Sequence, residues 1–159
     1  MGSKYEPLMQ AAREYCRLIE SAGAEDTEWL AKVARLLPRL HALVAALEPG
    51  DGGVEPGVLG DLDSRFELFS HLRKSLGELD SYWLEFDSPR ANIPATGSLA
   101  DDLTDIYCDL KRGLERIEAM GDARAALNDW QAGFAIHWGQ HLVDAERHLY
   151  ALSSRNLLA

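Results

Sequence analysis

Two histidines four residues apart, in the run His137-Trp138-Gly139-Gln140-His141, are the pair in this sequence best spaced for chemistry. On a helix they project from one face, as two ligands of one metal ion must. At 100° per residue the same face takes in Trp130, Phe134, Asp144 and His148 within about 80° of arc. Three imidazoles and a carboxylate there would suit a divalent metal. The order is not that of the HExxH metalloproteases, whose general-base glutamate follows the first histidine, because Trp138 stands in that place. The plainer reading is that these are ordinary core or surface histidines spaced by coincidence.

A second group is Asp101, Asp102, Asp105 and Asp109. In the favoured reading Asp101 and Asp102 complement the positive end of a helix, while Asp105, Asp109, Arg112 and Arg116 form an exposed salt-bridge ladder. In the alternative, Asp102 or Asp105 faces His137 or His141 across a helix pair and orients an imidazole or completes a ligand set. The Glu-x-x-His pairs of di-metal bundle proteins do not occur. A third group is aromatic: Tyr82, Trp83 and Phe86, with Trp130 and Trp138. Most such rings are core; otherwise Tyr82 and Trp83 border a groove beside the acidic helix. GxSxG, GxxxxGK[ST] and GxGxxG are absent, and neither Cys16 nor Cys108 has a helical-neighbour histidine as base. No cofactor is expected, and the balance leans away from an enzyme.

Five helical segments must position these groups, and no strand-like alternation is found, so the expected fold is all-α. The first runs from Pro7 to about Ala22, with Leu8, Ala12, Tyr15, Ile19 and Ala22 as its apolar stripe. The second begins near Thr27, capped by Asp26 or Thr27, and lines up Trp29, Val33, Leu36, Leu37, Leu40, Val44 and Leu47. Pro38 inside it predicts a kink or break. The stretch 49–60 reads as a mobile loop. The third spans about Leu62 to Phe86, using Leu62, Phe66, Phe69, Leu72, Leu76, Leu79 and Trp83, with a second loop over 87–97. Ser98 caps the fourth helix with Asp101 three residues on, and Gly121 stops it. Asp122 caps a long fifth helix to about Ser153. It is apolar on two faces, one of them Ile136, Val143 and Tyr150, which predicts the central helix of the bundle.

The 159 residues make one domain, 1–159, large enough to bury about 70% of the unfolded surface without disulfides or a structural metal. The two cysteines, 92 positions apart, read as free thiols in a reducing compartment. Against 16 basic side chains stand 26 acidic ones, which disfavours nucleic acid and anionic membrane surfaces as partners. Residues 51–110 carry 13 acidic and 4 basic side chains, while the flanks are nearly balanced. If contiguous, that segment steers a partner with a basic surface. No membrane span or signal peptide is evident, and Glu6 spoils a myristoylation signal, so the expected location is cytoplasmic.

AREYCRLIE in the first helix, SYWLEFD closing the third, and SLADDLTDIYCDLKRGL with FAIHWGQHL in the last two together resemble a bacterial family of small helical proteins catalogued as domain of unknown function 5063. The likeness runs from about Ala12 to Leu152 and leaves out 50–60, which should differ without loss of fold. It implies an all-α cytosolic protein and supplies no reaction. The family's recurring segments correspond here to Tyr82, Trp83, Asp101, Asp102, Asp105, Trp138 and His141. Two functions follow from the whole reading. The first is an interaction module engaging a basic protein through Tyr82, Trp83, Asp101, Asp102, Asp105, Asp109 and Trp138. The second is a metal or small-molecule site between the fourth and fifth helices with His137 and His141 as ligands. Homodimerisation through an apolar helix face is compatible with either.

Overall fold

The computed structural model describes residues 3–23, 26–50, 61–84 and 95–158. Helices α1 (Glu6–Glu20), α2 (Trp29–Ala45) and α3 (Leu62–Leu76) lead through a single 3-10 turn (Gly77–Leu79) into strand β1 (Ser81–Leu84). Strand β2 (Ala95–Ser98), α4 (Leu99–Met120) and α5 (Ala123–Gly133) follow. A π-helical turn (Phe134–Trp138) joins α5 to α6 (Gly139–Ser154), so the last three elements make one continuous rod. Among the described residues the architecture is all-α, five rods with one small two-stranded sheet.

Each helix starts and stops for local reasons. Pro7 sits in the first turn of α1, where its missing N–H costs nothing. Ser98 accepts from the Asp101 N–H and Asp122 from the Ala125 N–H, as the capping pattern predicts. Gly121, at φ +66°, closes α4. Asp26 accepts from Glu28, one residue before α2 begins. The helix then runs on through Pro38, so of the expected kink or break the break does not occur.

The apolar stripes of α1, α2, α4 and the C-terminal rod make the core. Leu8, Ala12, Tyr15 and Ile19 of α1 share one buried cluster with Val33, Leu37 and Leu40 of α2 and with Leu99, Leu103, Ile106 and Leu110 of α4, and α1 packs on both of those helices. α4 touches α1, α3, α5 and α6, and α6 packs on both α4 and α2. Polar atoms carried inside are satisfied: Tyr15 donates to the Leu103 carbonyl at 2.7 Å, and Trp138 to that of Trp130 at 3.0 Å. Burial pushes the Cys16 thiol up to about 12. Native protein at neutral pH should therefore alkylate at Cys16 far more slowly than after denaturation. Equal rates by mass spectrometry would contradict this packing.

Three expectations are corrected. The third helix ends at Leu76 rather than Phe86, because Gly77 adopts φ +54°, outside the right-handed helix. Tyr82 and Trp83 lie instead on β1, antiparallel to β2, with Tyr82 opposite Gly97 and Trp83 opposite Thr96. Aromatic residues favour such a pleated surface, and the strand alternates outward Ser81 and Trp83 with inward Tyr82 and Leu84. Next, Leu62, Phe66 and Trp83 are exposed; α3 buries only its last turns, through Leu72 and Leu76. Finally Ile136, Val143 and Tyr150 face outward, since the neighbours α2 and α4 cover only the other side of the rod. The expected loop over 51–60, residues 85 and 86 of the aromatic cluster, and 87–94 lie outside the described residues.

Candidate metal centre

Side chains reach this site from α3, which brings Arg65, from α4, from β1 and from the C-terminal rod. α4 supplies carboxylates one turn apart, Asp101, Asp102, Asp105 and Asp109, and the π-turn with the first turn of α6 supplies His137 and His141. β1 supplies Tyr82. The two-stranded sheet is locked to α4 by Asp80, 3% exposed, whose carboxylate accepts from the Ala100 N–H at 2.7 Å and from the Ser98 hydroxyl at 2.9 Å. That carboxylate also meets the positive end of α4.

His141 lies between two carboxylates. Its Nδ1 is 2.8 Å from Asp102 Oδ1, and its Nε2 is 3.1 Å from Asp105 Oδ2. Ionised carboxylates only accept, so toward Asp102 the ring donates through Nδ1–H, and when protonated it also turns an Nε2–H toward Asp105. Asp102 takes a second bond on Oδ2 from the Tyr82 hydroxyl. Tyr82 is stacked on His148 at 4.7 Å between centroids, and His148 donates through Nε2 to the Leu79 carbonyl at 2.7 Å. Arg65 on α3 donates to Asp105 Oδ1 from Nη2 at 2.7 Å and from Nε at 3.1 Å, and reaches Asp101 at 3.1 Å. His137 Nδ1 is 3.1 Å from Asp109 Oδ2, and the His137 and His141 rings meet edge-on at 5.1 Å. One donor atom each of Asp105, His137 and His141 lies within 4.8 Å of the other two, and Asp101, Asp102 and His141 make a second such trio.

The Asp102 hydrogen bond holds His141 above its ordinary value, against an opposing effect of burial and with added pull from the Asp105 charge. Burial holds Asp102 above the usual carboxylate range, although the bonds from His141 and Tyr82 pull it down. Burial and the Asp102 bond push the Tyr82 phenol far up, so it remains a donor. The folded value of His141 exceeds its unfolded value of 6.5. Its contribution to stability is therefore complete below that pH and is lost as pH rises through the folded value. In chelator-treated protein the urea midpoint should decline across that interval, and less so in Asp102→Asn. A wild-type midpoint that holds steady would refute the assignment.

The favoured exposed ladder is not what forms. Asp105 is 9% exposed and bonded to Arg65 and His141, while Arg116 pairs with Asp129 instead. Only the 3.5 Å contact of Asp109 with Arg112 remains of it. The alternative, in which Asp102 and Asp105 face the histidines across the helix pair, is the observed geometry. Among the expected partner contacts, Trp138 is fully buried as core and Asp102 is 3% exposed. Trp83 and Asp101 keep their side chains accessible. Sequence reasoning missed Arg65 as a member of this site. Its one available signal was being the first basic residue in the acidic stretch 51–110.

An open cleft of about 380 Å³ adjoins the cluster, bounded by the two-stranded sheet, α3, and the starts of α4 and α6. Fold and site together define a helical-bundle protein whose α4 and C-terminal rod enclose a histidine–carboxylate cluster under a two-stranded sheet. The chain belongs to the family described as Domain of unknown function (DUF5063), whose model matches residues 3–155. It is also similar to the crystal structure of protein BF1032 from Bacteroides fragilis, with 25% identity and a TM-score of 0.75, over 94% of this chain and 92% of that one. No curated protein matches it. No helix among the described residues is long and apolar enough to cross a membrane.

Proposed function

We propose that this protein binds a divalent transition metal through His137, His141 and Asp105. The observation that carries the reading is that each of the three has its own orienting partner. Asp102 holds Nδ1 of His141, Asp109 holds Nδ1 of His137, and Arg65 holds Oδ1 of Asp105. Metal-ligating imidazoles characteristically donate their second N–H to a carboxylate, and ligating carboxylates are themselves hydrogen-bonded. The arrangement leaves Nε2 of both rings and Oδ2 of Asp105 as the donors. Two ligands on one metal, each about 2.0–2.2 Å from it, stand roughly 3–3.5 Å apart. The 3.1 Å between His141 Nε2 and Asp105 Oδ2 suits that spacing. A cation entering there replaces the Nε2 proton, and the Asp102 bond stays in place.

Two imidazoles and one carboxylate suit Zn²⁺ or Fe²⁺ better than Ca²⁺ or Mg²⁺, which prefer oxygen. Three protein ligands also leave a position for water or another small ligand. The test is calorimetric titration of chelator-stripped protein with Zn²⁺, with elemental analysis of protein purified without chelator. The expected result is one site per chain, weakened at least about tenfold by Asp109→Asn, the loss typical of an orienting partner. Absence of saturable Zn²⁺ binding overturns the proposal.

A further inference from the structure

The cleft beside the cluster carries charges of both signs that do not pair with one another. Asp144, on α6, accepts the Gln140 amide at 3.1 Å and forms no ion pair among the described residues. Arg73, on α3, rests its guanidinium over the Phe69 ring at 6.0 Å and likewise meets no carboxylate. Both line the same cleft. Asp101, Asp102 and Tyr82 line it too, and the charges of Asp102, Asp144 and Asp101 all bear on the Tyr82 phenol.

Asp101 and Asp102 already face Arg65 and His141, so Asp144 is the one of the three whose charge no ion pair among the described residues answers, and a positive group of a ligand beside it gains the most. An ammonium fits the role, with three donors to distribute over Asp144, Asp101 and the Tyr82 oxygen. A ligand carrying only positive charge would leave Arg73 unanswered across the cleft. A planar guanidinium is the natural partner of a carboxylate, by two parallel hydrogen bonds. The Phe69 and Leu84 side chains offer apolar contact between the two ends. The volume of about 380 Å³ lies in the range of small-molecule sites.

We infer that this cleft binds a small zwitterion of the amino-acid class, its ammonium against Asp144 and Asp101 and its carboxylate on Arg73. The inference does not rest on the metal reading, because none of the three proposed ligands except His141 borders the cleft.

The test is calorimetry or ligand-observed NMR with a panel of free L-amino acids, using n-butylamine and butyrate as comparators with one charge each. Runs with and without chelator separate this site from metal binding. At least one amino acid should bind saturably with chelator present, and both comparators should bind at least about tenfold more weakly. Asp144→Asn and Arg73→Gln, both on helix surfaces, should each weaken binding by about tenfold or more, the loss of one charge-assisted contact. The inference is overturned if no amino acid binds. It is equally overturned if butylamine matches the best amino acid, which would mark a simple cation site, or if Arg73→Gln leaves affinity unchanged.

Discussion

Replacing His141 by alanine is expected to abolish tight Zn²⁺ binding and to cost about 3 kcal/mol of stability. The second effect does not depend on the first. The Asp102 side chain is 5% exposed and that of His141 22%. Removing the imidazole leaves a buried carboxylate with the Tyr82 hydroxyl as its remaining side-chain donor. Breaking a buried pair from one side costs about 3–5 kcal/mol, and the partial exposure of His141 places this case at the low end. Urea denaturation near neutral pH measures it. Combining His141→Ala with Asp102→Asn should cost clearly less than the two single losses added, because the double variant no longer buries an unpaired charge. Simple additivity would show that the two groups do not act as a pair.

Gly139→Ala carries the second large effect, and it acts through the backbone. The Gly139 N–H bonds to the Phe134 carbonyl oxygen five residues back, which is what makes this turn π-helical. A Cβ on Gly139 would stand 2.3 Å from that same oxygen. A backbone atom cannot swing aside as a side-chain tip can, so the turn itself must change. The expected cost is about 1–3 kcal/mol, the range for forced overpacking. The turn also fixes the register of α5 against α6: if it relaxes to ordinary helix, one residue of register is lost and α5 rotates by about 100° relative to α6, which draws His137 off Asp109 while leaving it on the same face as His141. Zn²⁺ affinity should then fall at least tenfold while the His141 imidazole signals stay near their wild-type shifts. Wild-type stability and affinity together would disprove the close approach.

Much of this was legible along the chain. The stripes of the first, second and fourth helices, the Ser98 and Asp122 caps and the stop at Gly121 all follow from side chains within a few residues of one another. The pairing of His137 with His141 was legible for the same reason, since residues four apart share a face whatever else surrounds them. The π-turn was not. The close approach of Gly139 to Phe134 shows why glycine is needed there, but a glycine in a helical pattern does not by itself announce a five-residue step.

Local order alone therefore determined that this chain forms five helical rods, which residues each rod turns to a common side, and that two imidazoles and a row of aspartates project as sets. Helical periodicity is a property of neighbours in sequence, so it needs no knowledge of the rest of the molecule. Tertiary structure decided which sides are covered. It left Ile136, Val143 and Tyr150 outside, drew Asp102 and Asp105 inward against His141, and brought Arg65 from 36 and 40 positions away onto Asp101 and Asp105. The physical reason is that burial of a charge is set by who pairs with it across space. A carboxylate that reads as a solvated ladder rung becomes part of a buried cluster once a guanidinium and an imidazole from other elements compensate its lost hydration.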